Sequence, residues 1–291
     1  MELETVIYEK EKLTEGAVAT ITLNKPETLN AVDVQLAEDM LAALTQAEED
    51  DDVKVVIIKG AGAAFSSGHD LGRVYYVYGG GTGKPEEKTR RPSQRSRLNY
   101  DRWRSETFRR IFLCPKVTIA QVHGYCIGGG LYIALCCDLA LAAEDAKIGQ
   151  LEQRLVFAGA AYVLPIEMMA IGPKKTRELV LTGKLIDGKE AERIGLINKA
   201  VPADRLDEET RKLAQVITLL PRDGLAIGKA MTQLAYDTLG LTSSFAQGYL
   251  GHTLATNVRF EEDEFNFLKA RRELGVKEAI KARDKRYEGL L

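Results

Sequence analysis

Histidine is scarce in this chain. His69, His123 and His252 are scattered over 291 residues and make no His-Glu-x-x-His spacing, so nothing in the sequence builds a zinc site and no metal is expected. Cysteine is also sparse. Cys114, Cys126, Cys136 and Cys137 form no Cys-x-x-Cys pair and read as reduced core residues rather than a disulfide framework. Long apolar runs are missing. Stretches such as Val53 to Ile58 and Leu139 to Ala143 are far too short to span a bilayer. Met1 to Thr5 has neither a basic n-region nor an apolar h-region, so no signal peptide and a cytoplasmic location are expected. Charge of one sign is missing too: 40 Lys and Arg face 42 Asp and Glu, a net charge of −2. That balance argues against nucleic acid or a membrane surface as a partner. What is present is an ordinary globular composition, 45% apolar and 28% charged, at a length that suits one large domain or a core with a smaller lobe.

The first half alternates strand and helix patterns. Ala17 to Leu23, Val53 to Lys59, Val117 to Val122 and Leu139 to Ala143 read as strands. Asp33 to Ala47 has helical apolar spacing, and Leu131 to Cys137 is an apolar helix opened by glycines. The rhythm points to an α/β core, assigned here to residues 1–203. One segment breaks it. From Val74 to Asn99 there is no helical or strand period, and Lys84 to Arg110 holds ten Lys or Arg against four Asp or Glu. This irregular insertion, about 73–101, reads either as a surface loop or as a lid whose positive charge meets an anionic substrate. After Ala203 the pattern turns helical: Asp204 to Leu219, Leu225 to Tyr236, Phe245 to Ala255 and Glu261 to Ala270, then a charged tail from Gly275 to Tyr287. Residues 204–291 are therefore expected to form a helical lobe that packs on the core or on a neighbouring subunit.

Three strings are rich in glycine. Gly79 to Gly83 neither follows a strand nor ends in Gly-Lys-Ser/Thr, so it is no P-loop. Gly224 to Ala230 reads as a helix start. The string from His123 to Gly130 leaves a strand and enters an apolar helix, where unpaired N–H groups and the positive end of the dipole face outward. Its spacing fails the dinucleotide fingerprint. A further string, Ala64-Phe65-Ser66-Ser67-Gly68-His69-Asp70-Leu71, nearly matches Gly-x-Ser-x-Gly. A serine hydrolase with Ser66 as nucleophile is the competitor this raises. Against it, no helix pattern follows the serine directly, and the glycine triplet comes about sixty residues later rather than earlier. Each of the last two strings can offer a backbone N–H, one after Gly68 and one within Gly128 to Gly130. Two converging donors suit an oxyanion hole for a thioester enolate or a tetrahedral oxyanion.

These residues resemble the enoyl-CoA hydratase/isomerase (crotonase) superfamily. The matching pieces are Leu29-Asn30-Ala31, the Ala64 to Leu71 string, Pro115-Lys116-Val117 and Gly124 to Gly130. Cys137 to Ala140, Ile148 to Glu152, Leu181 to Gly183 and Ala191 to Ile197 follow in family order, over nearly the whole chain. The resemblance implies a spiral of ββα units, a helical C-terminal lobe that assembles homotrimers or homohexamers, and an acyl-CoA thioester substrate. Coenzyme A then enters as part of the substrate, with no separate cofactor. It implies backbone oxyanion donors at His69 and Gly129. It places coenzyme A contacts at His69, Asp70, Leu71 and Gly72, with Ser67 before them. Where some members carry a lysine for the phosphates this chain has Gly72, followed by Arg73.

The family's hydratases place one glutamate two residues after the glycine triplet and a second twenty residues further on. Here the first position is Tyr132 and the second is Glu152. The resemblance thus implies Glu152 as acid/base. Tyr132 reads as a packed aromatic of the acyl pocket, joined by Tyr162, because a phenol with a pKa near ~10 is a poor base at neutral pH. A single carboxylate suffices to move a double bond between carbons. Thioester hydrolysis, decarboxylation and non-catalytic binding of a coenzyme A thioester stand beside hydration and isomerisation as readings of the same residues.

Overall fold

A computed structural model describes residues 3–72, 93–155, 162–255 and 260–290. Its centre is a six-stranded sheet in the order β1-β2-β3-β4-β6-β8. Strands β1 (Val6–Leu13) and β2 (Gly16–Leu23) form an antiparallel hairpin turned by Thr14 and Glu15. The other strands add in parallel: β3 (Val53–Gly60), β4 (Val117–Val122), β6 (Leu139–Ala143) and β8 (Lys199–Val201). β4 is buried at every position, as expected of a parallel strand covered on both faces. Helix α1 (Val34–Glu49) starts where the Asp33 carboxylate accepts from Leu36 N at 2.9 Å, and it buries Leu36, Met40 and Leu44 against the sheet.

A second, shallower layer runs beside this sheet. β5 (Tyr125–Ile127) pairs in parallel with β7 (Lys147–Gly149). Single bridges extend the layer, Ser66 to Cys126 on one side and Ile148 to Ile186 on the other. Each turn of the chain therefore supplies a long strand, a short strand and then a helix. β4, β5 and α3 (Gly129–Cys136) form one such turn. β6, β7 and α4 (Leu164–Thr182, broken at Gly172) form the next. This is the spiral of ββα units anticipated above. A short α5 (Gly188–Arg193) leads into β8, and from Leu206 onward every described element is a helix: α6 (Leu206–Thr218), α7 (Arg222–Thr238), α8 (Ser243–Ala255), α9 (Phe267–Leu274) and α10 (Val276–Lys285).

Two expectations need correction. The segment up to Asn99 shows no period in the sequence, yet α2 spans Gln94–Phe112, capped by Ser93 Oγ accepting from Ser96 N. Its buried side begins with Arg97, Asp101, Arg104 and Ser105 and turns apolar only at Phe108, Ile111 and Phe112, so no apolar stripe marks the helix start in the sequence. The remainder of the supposed insertion, 73–92 with Arg73, lies outside the described residues. The helix expected over Glu261 to Ala270 begins only at Phe267, because the Asn266 side chain caps Lys269 N at 2.9 Å.

Candidate active site

Two loops are brought together by backbone and amide bonding. Asn30 is fully buried; its Nδ2 donates to Ala61 O (2.9 Å) and Ala64 O (2.7 Å). Ser66 Oγ donates to Asn30 O at 2.8 Å, so this fully buried serine anchors the loop and is no exposed nucleophile. Phe65 N and Ser66 N donate to His123 O and Tyr125 O, and Ile127 N donates back to Ser66 O. Gly68, at φ +91°, lies so close to the second loop that a Cβ there would stand 2.6 Å from Ile127 O and 3.4 Å from Gly129 N. The N–H groups of His69 and Gly129 have no backbone acceptor among the described residues.

A cavity of about 370 Å³ opens at this junction. The first loop lines it with Ser67, Gly68, His69 and Leu71, the second with Gly128 and Gly129, and α3 with Tyr132. Glu152 enters from the short 3-10 turn Glu152–Leu155 that follows β7. It packs against Gly128, whose φ of +50° and ψ of −114° suit only glycine, and a Cβ there would meet Glu152 Oε1 at 2.6 Å. α10 adds Ile280 and Arg283 to the wall. Behind them Leu155, Phe267 and Ala279 form a small core of their own, with Leu71 packed on it.

Tyr132 Oη donates to Glu152 Oε1 at 2.6 Å, while Glu152 Oε2 is buried and has no hydrogen-bond partner among the described residues. Burial raises the Glu152 carboxyl above its ordinary range, and the Tyr132 hydrogen bond pulls in the opposite direction. Tyr132 is held well above a phenol's ordinary value, by burial first and by the Glu152 charge next, so it is a donor and not a base. His69 sits well below its ordinary value because of burial and the nearby Arg104 charge, which makes its imidazole neutral. One further carboxyl lies behind the site. Glu167 of α4 accepts a hydrogen bond from Gln150 Nε2, and burial, with the Glu152 charge, pushes it up to about 8.

The structure thus brings Glu152, His69, Gly129, Tyr132, Tyr162, Ser67 and Leu71 to one cavity. Asp70 and Gly72 are not among its lining residues. Asp70 Oδ1 accepts from Gly72 N at 2.7 Å, closing a tight turn, and Gly72 O accepts from Arg271 of α9. Residues 156–161, which precede Tyr162, lie outside the described residues. Sequence reasoning did not single out Lys147, Arg104, His252 or Arg283 as lining residues. The basic count over Lys84 to Arg110 was the one signal touching Arg104.

The enoyl-CoA hydratase/isomerase family model matches residues 13–262. The chain is 34% identical over 270 residues to the putative enoyl-CoA hydratase EchA13 of Mycobacterium tuberculosis, covering 87% of this chain and 81% of that one. It is 35% identical over 230 residues to a putative enoyl-CoA hydratase of Thermus thermophilus, covering 79% and 85%. The crystal structure of an enoyl-CoA hydratase/isomerase from Xanthobacter autotrophicus Py2 superposes with a TM-score of 0.83 at 31% identity, over 98% of this chain and 99% of that one. The chain belongs to the enoyl-CoA hydratase/isomerase family.

Proposed function

We propose that this member of the enoyl-CoA hydratase/isomerase family moves protons on the acyl chain of an enoyl-CoA thioester, with Glu152 as the acid/base and the N–H groups of His69 and Gly129 as the oxyanion hole. The carrying observation is the state of Glu152, a cavity-lining residue: one oxygen is held by Tyr132, and the other is buried with no hydrogen-bond partner among the described residues. On a 3-enoyl thioester, the Glu152 carboxylate takes a proton from Cα. The C–H electron pair passes into the thioester and leaves a dienolate whose oxygen accepts from the two N–H groups. The same carboxyl then returns the proton to Cγ, and the double bond stands between Cα and Cβ. His69 contributes its backbone, which agrees with an imidazole kept neutral.

Hydration is the second reading, supported by the relatives named as hydratases. Adding water across a 2-enoyl bond requires a proton taken from water and one given to Cα. Tyr132 already donates to Glu152, so Glu152 would have to serve both steps. Ser67 and Leu71, in the cavity lining, with Asp70 and Gly72 next to them in the chain, would contact coenzyme A. Assembly into homotrimers or homohexamers belongs to the same proposal. It is supported by α7, which buries no residue and leaves Ile227, Met231 and Leu234 at least 60% exposed.

The test is turnover of 2-enoyl-, 3-enoyl- and 3-hydroxyacyl-CoA thioesters by the wild type and by Glu152→Gln. The substitution should lower turnover by roughly 10²-fold or more while binding of coenzyme A survives. Near-wild-type rates would remove Glu152 from the mechanism. A wild-type hydration kcat in the ordinary range of ~10–10³ s⁻¹, above the isomerisation rate, would favour the second reading.

A further inference from the structure

Next to the catalytic groups the cavity meets a block of packed rings. His69, Tyr132 and Tyr162 line it, and Phe108 of α2 packs against all three. Phe108 stands 5.9 Å from His69, 5.5 Å from Tyr132 and 5.6 Å from Tyr162, measured between ring centroids. Tyr132 in turn stands 6.4 Å from His69 and 6.2 Å from Tyr162. All five separations fall in the range of rings in direct contact, about 4.5–7 Å. Rings packed in this way leave no passage between them for a hydrocarbon chain. Burial agrees: Phe108 and Tyr132 are 1% exposed and Tyr162 is 0% exposed.

The block begins at the catalytic groups themselves. Tyr132 Oη donates to Glu152 Oε1, so the phenol lies one hydrogen bond from the carboxylate. The His69 ring lies against Gly129, where a Cβ would stand 3.0 Å from Nε2. The block is also pinned from behind. Tyr162 Oη donates to Asp101 Oδ1 at 3.2 Å. Asp101, at 0% exposure, further accepts from His252 Nδ1 (3.0 Å) and Thr253 Oγ1 (2.8 Å). Swinging Tyr162 aside would take a donor from a fully buried carboxylate, and swinging Tyr132 aside would take one from Glu152. Both moves are costly.

We propose that this aromatic block ends the acyl-binding region close to the reacting carbons and selects short acyl chains, with Phe108 holding its rings together. The substrate class is then a short-chain enoyl-CoA thioester. The proposal rests on reading the cavity as an acyl-CoA site. The rival is a channel that opens past the rings and takes a long chain.

The test compares butyryl-CoA with decanoyl-CoA, two saturated thioesters that offer no double bond, with coenzyme A as reference, titrated by calorimetry. In an open apolar channel each added methylene tightens binding about fourfold, so decanoyl-CoA would bind far more tightly. Against a closed block it should bind about tenfold or more weakly than butyryl-CoA, because the extra chain must force packed side chains apart. Equal or tighter binding of decanoyl-CoA to the wild type overturns the proposal. Phe108→Ala, which removes a ring that does not line the cavity, should tighten decanoyl-CoA by about tenfold or more and leave butyryl-CoA within about threefold. A folded variant that keeps the wild-type preference, or weakens both thioesters alike, also overturns it. If Phe108→Ala does not fold, Phe108→Leu is read in the same direction, and if neither folds the wild-type ranking decides alone. Failure to bind any of the three compounds would sink the acyl-CoA reading itself, whereas tight binding of decanoyl-CoA would sink only the short-chain assignment.

Discussion

Tyr132 and Glu152 stand twenty positions apart in the chain and share a 2.6 Å hydrogen bond, with the phenol as donor and carboxylate Oε1 as acceptor. The bond favours the ionised form of Glu152 against a burial that disfavours it. Tyr132 itself is too far above its ordinary pKa to exchange roles with the carboxylate. The tyrosine therefore tunes the glutamate and fixes the position of Oε1.

Removing that bond gives a pH signature. In Tyr132→Phe the downward pull on Glu152 is lost while burial remains, so its pKa should rise further. If turnover needs the carboxylate, the acid limb of the kcat/KM profile should move to higher pH. A limb that stays in place or moves to lower pH would contradict the assignment.

Glu167 should make stability depend on pH. Its folded value of about 8 lies above the ordinary carboxyl value of 4.5, so between these limits the folded state binds more protons than the unfolded one. Stability from this group is fully present below about 4.5 and falls as pH rises toward about 8, by at most ~1.4 kcal/mol per pH unit. Glu167→Gln keeps an acceptor for Gln150 without a charge and should flatten that slope. Urea melts of both proteins at several pH values read the difference, and parallel slopes would refute it.

Gly128→Ala should damage turnover in a protein that still folds. The substitution forces a side chain into a positive-φ position and drives its Cβ toward Glu152 Oε1. Backbone strain of this kind costs on the order of 1–3 kcal/mol. Displacement of the carboxylate should lower kcat by tenfold or more, since an ångström of misplacement can cost about 10²-fold. Unchanged kcat in a folded variant would show that Glu152 tolerates movement.

Light scattering at micromolar concentration should report a trimer or hexamer. Met231→Glu, on the exposed apolar side of α7, should shift the population toward monomer, because a carboxylate buried in an apolar contact is costly. A wild-type monomer would remove α7 as an assembly surface.

Much of the frame was legible from the residues. Val117 to Val122 and Leu139 to Ala143 coincide with their strands, since buried parallel strands must be continuous apolar runs. The apolar spacing over Asp33 to Ala47 marked α1, whose start the Asp33 carboxylate caps. The loop strings of Ala64 to Leu71 and Gly124 to Gly130, with Glu152, stand out in the sequence, and residues of each line the candidate cavity. β1 escaped notice: it is an edge strand with mostly exposed Glu and Lys, whose pairing comes from β2 rather than from its own pattern.

What tertiary structure alone decided is the polar interior. Arg97, Asp101 and Arg104 look like a solvated basic stretch in the sequence, and a charged residue carries no sign of whether water will reach it. They are buried in the fold, where α2 packs against α8, 140 or more residues away, and Arg104 becomes cavity wall. The same holds for Tyr132 and Glu152. Residue type told that one could donate and the other accept, but hydrogen bonding falls off within a few tenths of an ångström, and that distance is set by how two turns of the spiral stack.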